Sequence, residues 1–269
     1  VKLGLGSYTF RWSIGHKGIV PANPMTAFDL LDIASRHGLC VMQYADNLPL
    51  HQLSDADLDG LAQRARDSGI ALEVGTQPFG VANVARYIAI GKRLDARILR
   101  VALDGPDAAR PIDELAAEFA QLLPMAKDAG IRIAVENHFN FPSRRLVDLL
   151  AAIDDDQVAI CLDVANSICA GEWPMETVGI LAPHAINLHL KDYVIVPDAY
   201  GVGFAIHGCP LGQGRTDFQA ILNAAPYPAD MSVILEQWLP RCSDMDAVRR
   251  REHGWLEQSV AFARRELHL

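Results

Sequence analysis

The chain has 269 residues, 50 % of them hydrophobic and 21 % charged, a balance that excludes disorder, collagen and coiled coil as overall descriptions. Twenty-four basic against 33 acidic residues give a formal net charge of −9, which repels phosphate backbones and anionic membrane surfaces, so neither nucleic acid nor a membrane is an expected partner. Cys40, Cys161, Cys169, Cys209 and Cys242 form an odd set without C-x-x-C spacing, which suggests neither a disulfide framework nor a thiolate zinc site and fits a reducing cytoplasm. The opening residues lack a charged region followed by an apolar stretch, and no apolar run reaches about eighteen residues, so neither export nor a membrane span is expected.

From the amino terminus onward, short apolar runs alternate with longer amphipathic segments. Strands are predicted over 2–7, 39–44, 71–76, 98–103, 131–137, 158–163, 185–191 and 232–237. Between them, Pro24 opens a helix over 25–37 that Gly38 closes, and Ser54 with Asp57 forms a capping-box start for a helix that ends at Gly69. Further helices are predicted over 81–94, 111–129 with Gly130 as its stop, 143–153, 174–181, 217–224 and 244–267. Eight βα units at about 34 residues each match a closed (β/α)8 TIM barrel, an α/β fold. An open doubly wound sheet would want a phosphate fingerprint at its first turn, and Gly4-Leu5-Gly6-Ser7-Tyr8-Thr9 lacks the third glycine of G-x-G-x-x-G. No linker or repeat divides the chain, which is expected to form one domain over 1–269. The glycine-rich stretch 192–215 reads as a long irregular loop covering the active site.

Four side chains stand near the ends of four consecutive predicted strands: Glu136, Asp163, His189 and Glu236. Their separations of 27, 26 and 47 residues correspond to one βα unit, another, and a third enlarged by the glycine-rich stretch. In a closed parallel barrel such strand ends converge on one mouth. Three carboxylates so close together stay ionised in a poorly solvated cleft only if a cation neutralises them. Oxygen-rich ligation with one nitrogen and no thiolate suits a single divalent ion, Mn or Mg first, with Co and Zn also accommodated.

The segments Val-Glu-Asn-His, Cys-Leu-Asp-Val-Ala-Asn, His-Leu-Lys-Asp-Tyr, Pro-Leu-Gly-Gln-Gly-Arg-Thr-Asp-Phe and Leu-Glu-Gln-Trp resemble, in order and over nearly the whole chain, the xylose isomerase-like TIM barrels, the sugar phosphate isomerase/epimerase group. The resemblance implies that Glu136, Asp163, His189 and Glu236 bind one divalent metal and that Glu136 and Glu236 exchange protons with the substrate. Ketose 3-epimerases of the group place a second glutamate shortly after the first, a histidine three residues past the aspartate and an arginine six past the metal histidine. Here those positions read Pro142, Asn166 and Ile195, which argues against a simple ketohexose epimerase.

Arg100 on the fourth predicted strand, and Lys191, two past His189 and so on the same strand face, either hold a substrate carboxylate or pair with the acidic cluster. His138 is an acid/base candidate, a donor to the metal carboxylate or a hydrogen-bonded loop histidine. His207 either closes over substrate or is merely exposed. Tyr8 and Gln43, with Tyr44, Asn47 and Glu73, are candidates to line the pocket or support it. Trp255 and Phe262 read as an apolar stripe on the terminal helix.

The expected activity is a metal-dependent isomerase or epimerase acting on a small polyhydroxylated keto compound through an enediolate. The alternative is a lyase, losing carbon dioxide or water from a 3-oxo sugar acid in carbohydrate catabolism. An AP endonuclease-like nuclease would need a histidine-rich multi-zinc cluster and a basic face. A non-catalytic binding barrel would show a degraded metal set. A homo-oligomer is compatible with the sequence.

Overall fold

Apolar residues that alternate on two faces let each short strand bury one face against helices and the other inside a ring. A computed structural model describes Val1–Leu269, and in it all eight predicted strands and all eight predicted helices form, with boundaries shifted by two residues at most. The strands are β1 (Lys2–Gly6), β2 (Val41–Tyr44), β3 (Ala71–Thr76), β4 (Ile98–Ala102), β5 (Arg132–Glu136), β6 (Val158–Asp163), β7 (Ala185–Leu190), β8 (Asp192–Pro197), β9 (Phe204–Cys209) and β10 (Ser232–Leu235). The helices are α1 (Arg11–Ile14), α2 (Ala27–Arg36), α3 (Asp55–Asp67), α4 (Val81–Arg93), α5 (Ile112–Ala129), α6 (Ser143–Ile153), α7 (Pro174–Leu181), α8 (Phe218–Leu222) and α9 (Met245–Glu266).

Strands β1 to β7 and β10 close into a parallel barrel, with β10 pairing both β1 and β7. The principal apolar core lies between the outer barrel face and the helices, where Leu99, Val101, Leu122, Ile133, Val135 and Leu146 are fully or almost fully buried. The inner face is strongly polar. In its lower half Gln43 donates to Glu73 at 2.9 Å and Asn187 at 3.2 Å, while Asn187 donates to Ser232 at 2.6 Å.

Local sequence sets the helix ends. At α3 Ser54 accepts from Asp57 N at 3.1 Å and donates to its carboxylate at 2.6 Å, the predicted capping box. The start of α2 differs from expectation, because Thr26 and Asp29 form a second capping box there and Pro24 lies outside the helix. Gly130 ends α5 at φ 67°, a left-handed position that glycine adopts without steric cost.

The stretch 192–215 is not wholly irregular. β8 and β9 pair antiparallel from Asp192–Cys209 to Pro197–Phe204, and a turn with Gly201 and Gly203 at φ 75° and 87° joins them. The β-branched run Tyr193-Val-Ile-Val, followed by turn residues and Phe204-Ala-Ile, carries a hairpin signal, which the glycine density masks. No helix is long and apolar enough to cross a membrane.

Candidate metal centre and substrate cavity

Register brings the four strand-end residues together. β5 pairs β6 with Glu136 opposite Cys161, and β6 pairs β7 with Asp163 opposite His189 after a bulge that skips Ile186. Ligand atoms of Glu136, Asp163 and His189 lie within 4.8 Å of one another. Glu236, just beyond β10, completes the set, its Oε1 being 3.6 Å from His189 Nδ1. The same nitrogen is 3.4 Å from Glu136 Oε1 and 3.8 Å from Asp163 Oδ2.

Two cations are wedged among these acids. Lys191 Nζ lies 2.6 Å from Asp163 Oδ2, though misaligned for a hydrogen bond, and donates to Glu236 Oε2 at 2.8 Å. Its ammonium also sits 5.2 Å from the centre of the Trp238 ring. Arg100 is ion-paired to Glu136 and, at 3.0 Å, to Asp46. Of the two readings open for Arg100 and Lys191, the geometry therefore has both paired with carboxylates.

The charge states follow from these contacts. Burial pushes Glu136 upward, but Arg100 and His189 outweigh it and hold this carboxyl well below the usual range. Glu236 moves down likewise, with Lys191 and His189 overcoming burial. Asp163 goes up, because burial and its two acidic neighbours exceed the pull of Lys191. His189 is raised despite burial by Cys161, Glu236 and Glu136.

A divalent ion fits this set. Both ring nitrogens of His189 and Asp163 Oδ2 are buried without a hydrogen-bond partner, a state that costs free energy unless something else satisfies them. With His189 neutral, the form in which it ligates a metal, Asp46, Glu136, Asp163 and Glu236 face only the two fixed cations Arg100 and Lys191, which leaves a formal deficit of two charges. One dication makes up that deficit.

Several groups that sequence reasoning missed support the set. Asn166 donates to Glu136 Oε1 at 2.9 Å and accepts from Lys191 at 3.4 Å. Asp163 Oδ1 accepts from Ala165 N at 2.9 Å and Asn166 N at 2.8 Å, and Asn137 Oδ1 accepts from Asp163 N at 2.7 Å. Asp46 accepts from Tyr8 at 2.8 Å as well as from Arg100. Asn166 follows directly from the Asp-Val-Ala-Asn segment; Asp46 sits past the end of β2, in a loop whose direction no periodicity reports.

Above the cluster opens a cavity of about 610 Å³. Tyr8, Arg100, His138, Lys191, His207 and Glu236 line it. His138 has Nδ1 3.1 Å from Asp104 Oδ2, and His207 lies exposed on β9. Gln43 does not line it: it is buried beneath in the lower polar layer with Glu73, because alternation along a strand gives the face but not the depth. Tyr44 points outward to donate to Ala27 O at 2.8 Å, and Asn47 accepts from Ser7 at 2.6 Å, so neither reaches the cavity.

A family profile described as xylose isomerase-like TIM barrel matches residues 31–265. The 3-oxo-isoapionate decarboxylase of Pectobacterium atrosepticum is 31 % identical over 261 residues, covering 97 % of this chain and 94 % of its own. D-psicose 3-epimerase from Clostridium cellulolyticum H10, solved with D-tagatose, superposes with a TM-score of 0.68 at 14 % identity, over 96 % of this chain and 98 % of that one. A xylose isomerase-like TIM barrel protein from Mycobacterium smegmatis, solved with magnesium, gives 0.65 at 15 % identity, over 97 % and 96 %. At such identities the two solved structures speak for the fold.

Proposed function

The chain belongs to the xylose isomerase-like TIM barrel family, and on that premise we propose that it is a divalent-metal-dependent decarboxylase of a 3-oxo sugar acid. One observation carries the reading: a buried imidazole without partners and three carboxylates short of positive charge converge at the floor of a polar cavity. The near full-length relative that decarboxylates a 3-oxo acid supports this choice among enolate chemistries.

In the reaction the bond between the carboxylate and its neighbouring carbon breaks, carbon dioxide leaves, the electron pair moves into the 3-oxo group to give an enolate, and a proton drawn from solvent is added to that carbon. A divalent ion on Glu136, Asp163, His189 and Glu236, Mn or Mg by the donor set, would supply Lewis-acid stabilisation of charge on the ketone oxygen. Arg100, locked between Glu136 and Asp46, keeps Glu136 ionised and aimed. Lys191 holds Asp163 and Glu236 in place, and Glu236 Oε2, which accepts from Lys191 Nζ, relays the solvent proton to the reacting carbon. Tyr8, whose hydroxyl donates to Asp46, offers its lone pairs to a substrate hydroxyl. His138 and His207 line the opening and orient polar substrate groups from above.

The isomerase or epimerase reading ranks second. Asn166, where ketose 3-epimerases carry a histidine, is occupied by Glu136 and Lys191, Pro142 precedes α6 as its N-cap, and Ile195 lies within β8. Incubating the Mn-loaded protein with 3-oxo-isoapionate in deuterated water tests the choice. Decarboxylation gives one carbon dioxide per substrate consumed and one solvent deuterium on the product carbon. Deuterium exchange into a ketose with no gas released would support the isomerase instead.

A further inference from the structure

Three cations line the cavity below its exposed edge: Arg11, Arg100 and Lys191. The last two are each ion-paired to two carboxylates. Arg11 forms no ion pair. Its one hydrogen bond is a long 3.3 Å contact from Nη2 to the neutral carbonyl of Gln237, and its Nε is buried with no partner. Its guanidinium lies 5.4 Å from the centre of the Tyr8 ring. Burying an uncompensated guanidinium is costly, and burial pulls Arg11 down where Arg100, beside Glu136 and Asp46, is pushed up.

The backbone that carries Arg11 is nevertheless firmly held. Glu252 of α9 accepts from Trp12 N at 2.8 Å, Ser13 N at 3.1 Å and Ser13 Oγ at 2.6 Å. Trp12 Nε1 donates to Leu239 O at 2.9 Å, and Gln237 donates to Thr9 O at 2.8 Å and Glu252 O at 3.1 Å. Of the two carboxylates that act on Arg11, Glu252 is thus spent on fixing the turn beneath it and Glu236 is paired with Lys191. A fixed guanidinium with open donors, facing a cavity, is the arrangement that recognises a planar oxyanion.

We propose that Arg11 is the residue that reads the substrate's carboxylate, which makes an acid rather than a neutral ketose the substrate class of this site. The inference rests on the metal-dependent oxo-acid reading above. As carbon dioxide forms, the negative charge leaves the carboxylate for the ketone oxygen, so Arg11 grips the ground state more strongly than the transition state. Its loss therefore raises KM without lowering kcat.

The test uses non-reacting probes with the full-length, Mn-loaded protein: xylonate, and the matching neutral pentitol, xylitol. Calorimetry is expected to show wild-type protein binding xylonate at least tenfold tighter than xylitol, about 1.4 kcal/mol. Arg11→Met removes the gap while leaving xylitol affinity and Mn content unchanged, and Arg11→Lys keeps part of it. The retained xylitol binding shows that the variants are folded. Equal preference for xylonate in wild-type and Arg11→Met protein overturns the proposal, as does a wild-type protein with no preference. Inorganic phosphate binding through Arg11 more tightly than xylonate overturns the carboxylate assignment in favour of a phosphorylated substrate. An Arg11-dependent xylonate preference in a protein that releases no carbon dioxide from 3-oxo-isoapionate supports the role of Arg11 and rejects only the reaction.

Discussion

Glu252 and Glu136 are both buried glutamates, and burial wins over the neighbours at the first and loses to them at the second. Glu136 has Arg100 against it, whereas Glu252 has three neutral donors, and burial raises it to about 7. A carboxyl raised above its unfolded value of about 4.5 keeps its proton on folding. Its contribution to stability is therefore whole below about 4.5 and is lost as pH rises through about 7, an effect on the order of 1 to 3 kcal/mol. Glu252→Gln should flatten urea-derived stability across that window; an unchanged pH slope rejects the assignment. Asn166 makes a second residue-scale case, since it ties Glu136 to Lys191. Asn166→Ala is expected to weaken Mn binding by roughly 10- to 100-fold, as loss of a group that orients a ligand does. Titration of chelator-stripped protein measures this, and full affinity in the variant would contradict a metal role for Glu136. The spacing of strand ends made Glu136, Asp163, His189 and Glu236 legible, since one residue per βα unit is a topological signal. Arg11 opens the single-turn α1 and Asp46 lies in a turn past β2, positions that no periodicity reports, and the turn bearing Arg11 is fixed by Glu252, 241 residues further along the chain.

Among the elements, all the barrel strands and their helices could be read from local pattern, because apolar period, caps and glycine stops agree within each segment. The hairpin could not. β8 and β9 hold only part of the stretch after β7, and the rest is organised by one side chain. Asp192 accepts from Gly212 N at 3.0 Å, Gly214 N at 2.8 Å and Thr216 N at 3.0 Å. Close approach requires glycine at two of those places: a side chain on Gly212 would run into Phe262, and one on Gly214 into Asp192 itself. This tie sets where the hairpin leaves the barrel, and the hairpin brings Ile206, His207 and Gly208 to the cavity wall. Asp192→Ala deprives these three donors, and Tyr193 N, which donates to the same carboxylate at 2.8 Å, of their acceptor and is expected to cost about 3 kcal/mol, with new proteolytic cleavage within 210–216. An unaltered urea midpoint and cleavage pattern would mean that the stretch is held by other contacts.

For the molecule as a whole, the distribution of charge matters more than its total. The −9 net charge is spread over a surface where pairs such as Lys92–Asp128 and Arg265–Glu266 are largely exposed and contribute little. The deficit among Asp46, Glu136, Asp163 and Glu236 lies instead inside the barrel, with Glu136 and Asp163 essentially inaccessible to solvent, where bulk salt screens poorly. Surface and interior should then respond differently to ions. Monovalent salt is expected to change the unfolding temperature only slightly. A divalent ion that binds the folded barrel and not the unfolded chain adds about 2.7 kcal/mol at a hundredfold excess over its Kd, which for a chain of this size corresponds to roughly 5 to 10 °C. Scanning calorimetry of chelator-stripped protein, with and without Mn or Mg, measures that shift directly. Asp163→Asn, which removes one charge and one ligand without changing shape, should abolish most of it while leaving the small response to monovalent salt intact. A shift of the same size in Asp163→Asn, or none in the wild-type protein, would move the source of any ion dependence away from the barrel mouth and leave the unpartnered His189 without its counter-charge.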